Sequence, residues 1–410
     1  MNQSIGLVLL QIAGIVLGVV SVFWLAGSLP PEDYAIVGVY NVIVSFIMVF
    51  SNTGIETYAI RNVLAWEDKG EDNKIKLIIT QAITFRMLIA CIVILPLTGY
   101  AIYVSKQKFD GNYLGLFILM NVFSIARALN DSIILILKAF NNYFAAAFVT
   151  YSVNVFGRLL ALALFFKFGF NAYILVLIFV PIISTIPVIF LLRKWLCFDG
   201  VFNMSSMLVV FKESRSFRLA SYISYAFNFL DQLFVSIFMS AEFLGSFSVA
   251  KNLLLISKTF IENIFDPMIQ GLVRFKCSIL SLEAKLKKIL RIRDVLLLIS
   301  LIILPFMVIY IDNVLELLHL NNYPYLNYFA VLVYLSQIAH IAMKVKYNYI
   351  VLFYKASLYL RLTTINAFLS IFFFIFAISI DIKFVFSYTL ITNLVMIFYT
   401  NRVFKNQKFA

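Results

Sequence analysis

The sequence is poor in charge, and this scarcity excludes an ordinary water-soluble protein. Of the 410 residues, only 13% are Asp, Glu, Lys or Arg, whereas 63% are hydrophobic. Soluble domains are about half apolar and about a quarter charged, so lipid must be the solvent for most of this chain. The 43 Phe and 22 Tyr residues suit lipid-facing walls and the aromatic belts at membrane surfaces.

Cysteine and histidine are also scarce. Cys91, Cys197 and Cys277 lie far apart in the sequence, and His319 and His340 lack the spacing that is typical of metal ligands. We therefore expect no disulfide framework, no bound metal and no cofactor. The net charge of +13 does not indicate a nucleic-acid partner, because the basic residues sit in short loops between apolar segments.

Motifs of enzymes are missing as well. The sequence contains no G-x-x-x-x-G-K-[ST] phosphate-binding loop, so we expect no ATP hydrolysis. It leaves no room for a soluble domain with a Ser-centred nucleophile elbow or a pair of catalytic carboxylates. We therefore expect a transporter rather than an enzyme, with energy supplied by a gradient or a partner. The first apolar run is too long for a signal peptide and lacks a basic start, which predicts a membrane helix instead.

Long hydrophobic runs dominate the sequence. A bilayer core needs about 20 apolar residues in helical form, and twelve runs meet this need, at roughly 5–29, 34–55, 78–104, 113–137, 143–166, 169–192, 217–240, 243–272, 294–311, 324–343, 362–380 and 384–401. They predict an all-α integral membrane protein with about 12 transmembrane helices. The long connection 193–216 predicts a cytoplasmic linker between a six-helix half at 1–192 and another at 217–410.

Two further patterns bear on this organisation. Glu32, Ala35 and Val39 recur as Glu242, Gly245 and Val249 at the same spacing, which favours parallel repeats of the kind found in transporters. Five prolines fall inside or at the edges of the predicted helices: Pro96, Pro181, Pro187, Pro267 and Pro305. Each removes a backbone hydrogen bond and can kink its helix, as an alternating-access transporter requires, although membrane helices also tolerate proline without any such role.

The distribution of Lys and Arg predicts the orientation. Most of the basic residues fall in alternate loops, including a dense run at 285–293 and Lys344, whereas only Lys106, Lys108, Lys167 and Lys383 lie in loops on the opposite side. Cytoplasmic loops carry such an excess of positive charge. We therefore expect both termini to face the cytoplasm, in a bacterial inner membrane.

Ionisable residues inside the predicted helices are the candidate site residues, because a charge in lipid is costly and normally faces a polar interior. The bases are Arg86, Arg127, Arg158, Lys251 and Lys258, and the acids are Glu56, Asp131, Asp231, Glu262 and Asp266.

Their spacing separates pairs from singletons. Arg127 and Asp131 are four residues apart, as are Lys258 and Glu262, so each pair can neutralise itself on one helix face. Three bases have no acid at that spacing: Arg86, Arg158 and Lys251. Each must find a partner on another helix, reach water or meet an anionic ligand such as a pyrophosphate. Asp231 is either an ion-coupling site or a structural partner of a base, and Asn154 and Asn228 could extend a polar lining.

Three short stretches resemble one known family. The first is Leu29-Pro30-Pro31-Glu32-Asp33-Tyr34, followed by Gly54 and Arg61, the second is Ser240 to Ala250 after Asp231, and the third is Asn322-Tyr323. They are similar to O-antigen flippases of the Wzx type, polysaccharide transporters of the MOP superfamily (multidrug, oligosaccharidyl-lipid and polysaccharide exporters). Family members often read L-x-P-x-[DE]-[YF]-G in the first stretch, and here Ala35 replaces the usual Gly.

The resemblance implies a MATE-like bundle of two six-helix halves around a central cavity. It also implies a function, the transfer of undecaprenyl-pyrophosphate-linked oligosaccharide repeat units from the cytoplasmic to the outer leaflet for O-antigen synthesis. A polysaccharide polymerase and a chain-length regulator are the protein partners that this function suggests. Three alternatives remain: a MATE-like drug or metabolite exporter, a polysaccharide polymerase, although the predicted outer loops are short for one, and a channel or purely structural membrane protein.

Overall fold

The computed structural model describes residues 2–51, 63, 66–67, 69–140, 142–151, 156–197, 212, 214–270, 272, 279–354 and 356–406, and these residues form helices with no β-strand among them. In chain order the α-helices are α1 Asn2–Gly27, α2 Pro31–Ser51, α3 Asp72–Lys108, α4 Leu114–Ala139, α5 Tyr143–Tyr151, α6 Gly157–Phe168, α7 Phe170–Leu192, α8 Arg215–Phe238, α9 Ala241–Gln270, α10 Ile279–Leu317, α11 Leu326–Phe353, α12 Ala356–Ile380 and α13 Ser387–Asn406. Short 3₁₀ helices lie at Arg193–Trp195 and Ile382–Phe384. The helices confirm the predicted all-α membrane fold.

Several helices are long and apolar enough to span a bilayer. Among the described residues there are seven of them, within α2, α3, α4, α7, α10, α11 and α12, and the shorter apolar helices Val16–Gly27 and Phe229–Phe238 accompany them. The five prolines singled out in the sequence all lie inside helices, namely α3, α7, α9 and α10. Five residues discussed above lie outside the described part of the chain, as does most of the predicted linker: Gly54, Glu56, Arg61, Asn154 and Cys277.

Two helices differ from the sequence prediction in length. α10 begins at Ile279 rather than near 294, and α11 continues to Phe353 rather than ending at 343. A hydropathy profile predicts the end of a membrane helix where charged residues begin. Lys and Arg are nevertheless good helix formers, so the helix itself can continue through them. In α10 the extension is held by Leu286 and Ile289, which are buried in a core cluster with residues of other helices. The segment 279–293 is therefore helix, not the loop that hydropathy suggests.

By internal packing the chain forms two compact units, which consist of Met1–Ser21 with Ile36–Ala241 (unit 1) and Val22–Ala35 with Glu242–Ala410 (unit 2). In unit 1, α4 packs against α3, α5 and α7, and α6 packs against α7. In unit 2, α11 packs against α10 and α13, and α13 against α12. The predicted halves at 1–192 and 217–410 stay a prediction.

Residues from each of the three stretches that carry the family resemblance meet within unit 2. Gly245 lies so close to the Pro31 carbonyl that a Cβ atom there would collide with its oxygen. The Tyr323 hydroxyl donates to the carbonyls of Ala26, at 2.8 Å, and Leu29, at 3.0 Å. The ring of Tyr323 also meets that of Tyr34 edge-on, at 6.1 Å between centroids. These motifs therefore form a packing junction, which explains why they identify a fold better than a substrate.

Burial shapes the chemistry of this junction. Tyr323 lies in the connection between α10 and α11 and is 3% exposed. Burial raises the pKa of its hydroxyl above the ordinary value, and the nearby Tyr34, Glu32 and Asp33 raise it further. The hydroxyl thus stays protonated and keeps donating to both carbonyls across the physiological pH range.

Candidate functional site

Arg86 forms the central ion pair of unit 1. It lies in α3 and is fully buried, and its Nη2 donates to Asp131 Oδ2 of α4 at 2.7 Å. Its Nη1 donates to Ser132 Oγ at 3.2 Å. The sequence left three outcomes open for Arg86, and the structure shows a partner on another helix. A buried guanidinium needs such a partner because an uncompensated charge in the interior costs several kcal/mol.

Arg127 and Arg158 lie beside this pair. Both are half-buried, and Arg127 lies within electrostatic reach of Arg158, Asp131 and Tyr40. Asp131, the partner that the i, i+4 spacing gives to Arg127, forms its ion pair with Arg86 instead. Among the described residues, Arg158 forms no salt bridge. Among the described residues, Arg127 therefore lies between Arg158 and the Arg86–Asp131 pair, so that three arginines are gathered in this part of unit 1.

Tyr40 links this cluster to the backbone of α7 beside Pro181. Pro181 has no N–H group, so the carbonyl of Leu177, four residues earlier in α7, loses its helical hydrogen bond. The Tyr40 hydroxyl of α2 donates to this carbonyl at 3.0 Å. The carbonyl of Pro181 itself accepts from Asn130 Nδ2 of α4 at 2.8 Å. Side chains of α2 and α4 therefore bind backbone carbonyls of α7 beside this proline, which is how neighbouring helices make proline tolerable in a membrane helix.

Unit 2 contains a different charged cluster. Lys344 of α11 is 8% exposed, and its ammonium lies 3.1 Å from Glu262 Oε1 and 3.5 Å from Asp266 Oδ1, both on α9. Asn348 Nδ2 also donates to Asp266 Oδ1, at 2.6 Å. One ammonium thus serves two carboxylates. Glu262, which the i, i+4 spacing gives to Lys258, is bound by Lys344.

The other candidate bases of unit 2 line the same helix, α9. Lys258 is half-buried and lies within electrostatic reach of Glu262, Lys344 and Lys251, and Lys251 is 3% exposed. His340 Nε2 and Gln337 Oε1 are buried and have no hydrogen-bond partner among the described residues. Buried polar atoms without a protein partner are places for water or a ligand group.

Asp231 belongs to α8 in unit 1. It is 3% exposed, and its Oδ1 accepts from the backbone N–H of Gln232 at 2.7 Å. Gln232 in turn donates to the Gly38 carbonyl of α2 at 3.4 Å. These contacts favour a structural position for Asp231, although its role in ion coupling stays a prediction. Groups of three or more His, Cys, Asp and Glu side chains that could hold a metal ion do not occur in the described part of the chain.

The sequence analysis did not identify four residues that contact the charged clusters or the backbone of α7: Tyr40, Ser132, Asn130 and Lys344. Lys344 was not a candidate because the hydropathy pattern predicts that its helix ends at 343, which assigns Lys344 to a loop. Ser132 carries a recognisable signal, since it stands next to an acid inside a membrane helix. Tyr40 gives no signal in its own neighbourhood, because its partner carbonyl is freed by a proline 141 positions later in the chain.

Known proteins share features with this chain. Residues 2–270 match the model of a family described as polysaccharide biosynthesis protein. A multidrug resistance MATE transporter of the MOP superfamily is similar in its inward-facing conformation, with 12% identity and a TM-score of 0.68 over 96% of this chain and 95% of the other. Its outward-facing conformation gives 14% identity and a TM-score of 0.68 over 98% and 96%.

A MOP superfamily transporter from Pyrococcus furiosus is similar at 12% identity and a TM-score of 0.61, over 98% of this chain and 96% of the other. At such identities these likenesses show a common fold. No curated protein sequence matches the chain. The family model, by contrast, covers well over half of the sequence. The chain belongs to the polysaccharide biosynthesis protein family and is an integral membrane protein with the fold of the MATE transporters.

Proposed function

We propose that the protein flips undecaprenyl-pyrophosphate-linked oligosaccharide repeat units from the cytoplasmic to the outer leaflet of the bacterial inner membrane, by alternating access. The observation that carries this proposal is that Arg127 and Arg158 lie within electrostatic reach of each other, beside the buried Arg86–Asp131 pair, in a member of a polysaccharide biosynthesis family. Ionisable residues inside membrane helices are costly and commonly mark a substrate pathway. A pyrophosphate is an anion that such arginines can bind.

The residues divide into binding and positioning roles. Arg127 and Arg158 are the bases that we assign to the pyrophosphate, because a guanidinium binds phosphate oxygens in a bidentate manner. Arg86 is fully buried and bound to Asp131, so its role is to position that carboxylate beside Arg127. In unit 2, Lys251 and Lys258 are further candidates for contact with the substrate.

Transfer of the lipid-linked substrate needs a protein because its sugar head is too polar to cross the hydrocarbon unaided. The polyprenyl tail can stay in the lipid while the head moves. An inside-negative potential favours outward movement of negative charge by about 2.3 kcal/mol per charge per 100 mV. The membrane potential can therefore drive the step, and collapse of the potential should slow it.

The test is the location of the lipid-linked repeat unit in a strain that lacks this chain. With a labelled sugar, we expect the intermediate to accumulate on the cytoplasmic face and wild-type protein to remove it. Arg158→Ala and Arg127→Ala should lower the rate of removal by about tenfold or more, because each deletes a charge-assisted bond worth about 1.5–3 kcal/mol. Arg158→Lys should retain part of the rate.

Lys74→Ala is the matched control, because it removes one exposed positive charge that is paired with Glu71 at the start of α3. It should remove the intermediate at the wild-type rate. Accumulation on the outer face would contradict the proposal and favour a polymerase. Absence of any accumulation, combined with loss of drug or metabolite efflux, would favour an exporter.

A further inference from the structure

The first turns of α10 carry a basic surface that continues directly into a lipid-facing one. Lys287, Lys288 and Arg291 are exposed on this helix. Val295 and Leu298 follow on the same face at helical spacing and are 55% and 59% exposed. One uninterrupted stripe of α10 is therefore basic over its first part and apolar beyond it.

Buried residues on the opposite face fix the orientation of this stripe. Leu286 and Ile289 are 6% and 4% exposed and belong to a core cluster with Phe265 and Val345. The neighbouring Arg293 forms an ion pair with Asp294 at 2.6 Å, so it adds no net charge. The three exposed bases thus point away from the protein core of unit 2 and constitute a local excess of positive charge.

The apolar part of the stripe faces lipid rather than protein. In the most apolar stretch of α10 only 6% of the residues are buried in the protein. The corresponding fraction is 22% or more in the other six candidate spans among the described residues. On the far side of the apolar stretch, charge returns with the exposed Asp312. Asp312 lies 21 positions after Arg291, a rise of about 31 Å at 1.5 Å per residue, which matches the hydrocarbon core of about 30 Å.

This match fixes the depth of the basic part. When residues 295–311 cross the hydrocarbon, Lys287, Lys288 and Arg291 lie at the level of the lipid headgroups. The acyl chains of a lipid that covers Val295 and Leu298 therefore bring its phosphate next to these three bases.

We propose that this stripe of α10 is a binding site for an anionic glycerophospholipid of the surrounding leaflet, whose phosphate contacts Lys287, Lys288 and Arg291 and whose acyl chains pack on Val295 and Leu298. The chemistry that recognises it is a negative headgroup joined to a hydrocarbon chain. Basic residues near a membrane surface each contribute to such binding. The site is independent of the substrate that the protein transports.

The experiment is a lipid titration of the purified full-length protein followed by native mass spectrometry. Dioleoyl phosphatidylglycerol is the anionic probe, and dioleoyl phosphatidylcholine is the zwitterionic one. Wild type should bind phosphatidylglycerol more tightly, and the variant K287Q/K288Q/R291Q should weaken that binding by at least about tenfold, since each charge contributes about fivefold. Phosphatidylcholine binding should not change.

The charge-matched control is K69Q/K74Q/K76Q, which removes three positive charges near the start of α3 in unit 1 and should keep the wild-type affinity for phosphatidylglycerol. K287R/K288R retains the charges and should also keep it. Equal losses in both triple variants, equal losses for both lipids, or no loss at all would overturn the proposal. Undecaprenyl phosphate forms a third arm. Tighter binding of this carrier lipid than of phosphatidylglycerol, lost in K287Q/K288Q/R291Q, would overturn the assignment to a glycerophospholipid.

Discussion

The two units of the molecule arrange their intramembrane charges differently. In unit 1, Arg86 of α3 is paired with Asp131 of α4, and Arg127 lies within electrostatic reach of Asp131 and Arg158. In unit 2, Lys344 of α11 contacts two carboxylates of α9. The first arrangement gathers arginines, whereas the second ties α11 to α9.

The identity of the bases matters to this difference. Arginine stays charged in almost any protein environment and presents a fork of donors that fits phosphate, whereas a lysine ammonium acts as a compact point charge. A group of arginines is therefore better suited to an anionic ligand such as a phosphate. A lysine held between two acids is better suited to a structural tie. Four substitutions test this difference between the units.

Asp131→Ala should have the largest effect, because it leaves Arg86 buried among like charges without its acid. We expect the free energy of unfolding to fall by about 3–5 kcal/mol, the typical cost of breaking a buried ion pair. Thermal unfolding in detergent measures the loss. The double variant D131A/R86M removes both charges and should recover most of the stability. If D131A alone unfolds at the wild-type temperature, the pair does not stabilise unit 1.

Gly245→Ala tests how tightly the junction of unit 2 is packed. A Cβ atom at Gly245 would collide with the Pro31 carbonyl, and a backbone group cannot move aside as the end of a flexible side chain can. We expect a loss of about 1–3 kcal/mol in stability, the usual cost of overpacking.

The matched control for Gly245→Ala lies in unit 1. Gly99 is also a helical glycine, but a Cβ atom there would meet nothing within 4 Å. Gly99→Ala should therefore be neutral or stabilising by up to about 1 kcal/mol, since alanine favours helix. Equal effects of the two substitutions on thermal unfolding would mean that the junction can accommodate an additional methyl group at position 245.

Glu262→Gln should have a smaller effect than Asp131→Ala, because Lys344 keeps the carboxylate of Asp266 at 3.5 Å. The amide still accepts a hydrogen bond but lacks the charge, so we expect a loss of about 1.5 kcal/mol in stability. Glu283→Gln, at a partly exposed position of α10, serves as the control and should cost less than 0.5 kcal/mol. A loss for Glu262→Gln as large as that for Asp131→Ala would show that Lys344 depends on Glu262 alone.

Much of the fold could be predicted from the sequence, because lipid imposes long apolar runs on every spanning helix. α7 and α8 begin and end within two residues of the predicted runs. The start of α10 and the end of α11 could not be predicted in this way. Both extensions contain basic residues, and a hydropathy profile does not distinguish a charged helical extension from a loop.

The sequence predicts which charged residues lie inside the membrane helices, but not which of them form ion pairs with each other. Arg86, Asp131 and Glu262 stand out as charges inside apolar runs. Helical spacing then suggests the pairs Arg127–Asp131 and Lys258–Glu262, because neighbours on one helix are the only neighbours that a single sequence reveals. In the structure the acids bind bases of other helices, at distances that only tertiary packing determines.

Tyr40→Phe should have the smallest effect of the four, and it isolates the link between the arginine cluster and the backbone of α7 beside Pro181. The change removes the donor to the Leu177 carbonyl, which Pro181 leaves without a backbone partner. We expect a loss of about 1 kcal/mol in stability, the net contribution of one hydrogen bond.

A double-mutant cycle with Pro181→Ala assigns this cost to its cause. Alanine restores the N–H group at position 181, so the Leu177 carbonyl regains its helical hydrogen bond and no longer needs the tyrosine. In the Pro181→Ala background, Tyr40→Phe should therefore cost only a few tenths of a kcal/mol, and the coupling energy should approach about 1 kcal/mol. If Tyr40→Phe costs the same in both backgrounds, the hydroxyl does not compensate for the proline. The effect of Tyr40 would then come from its position beside Arg127 and Arg158, and the variant should impair transport rather than stability.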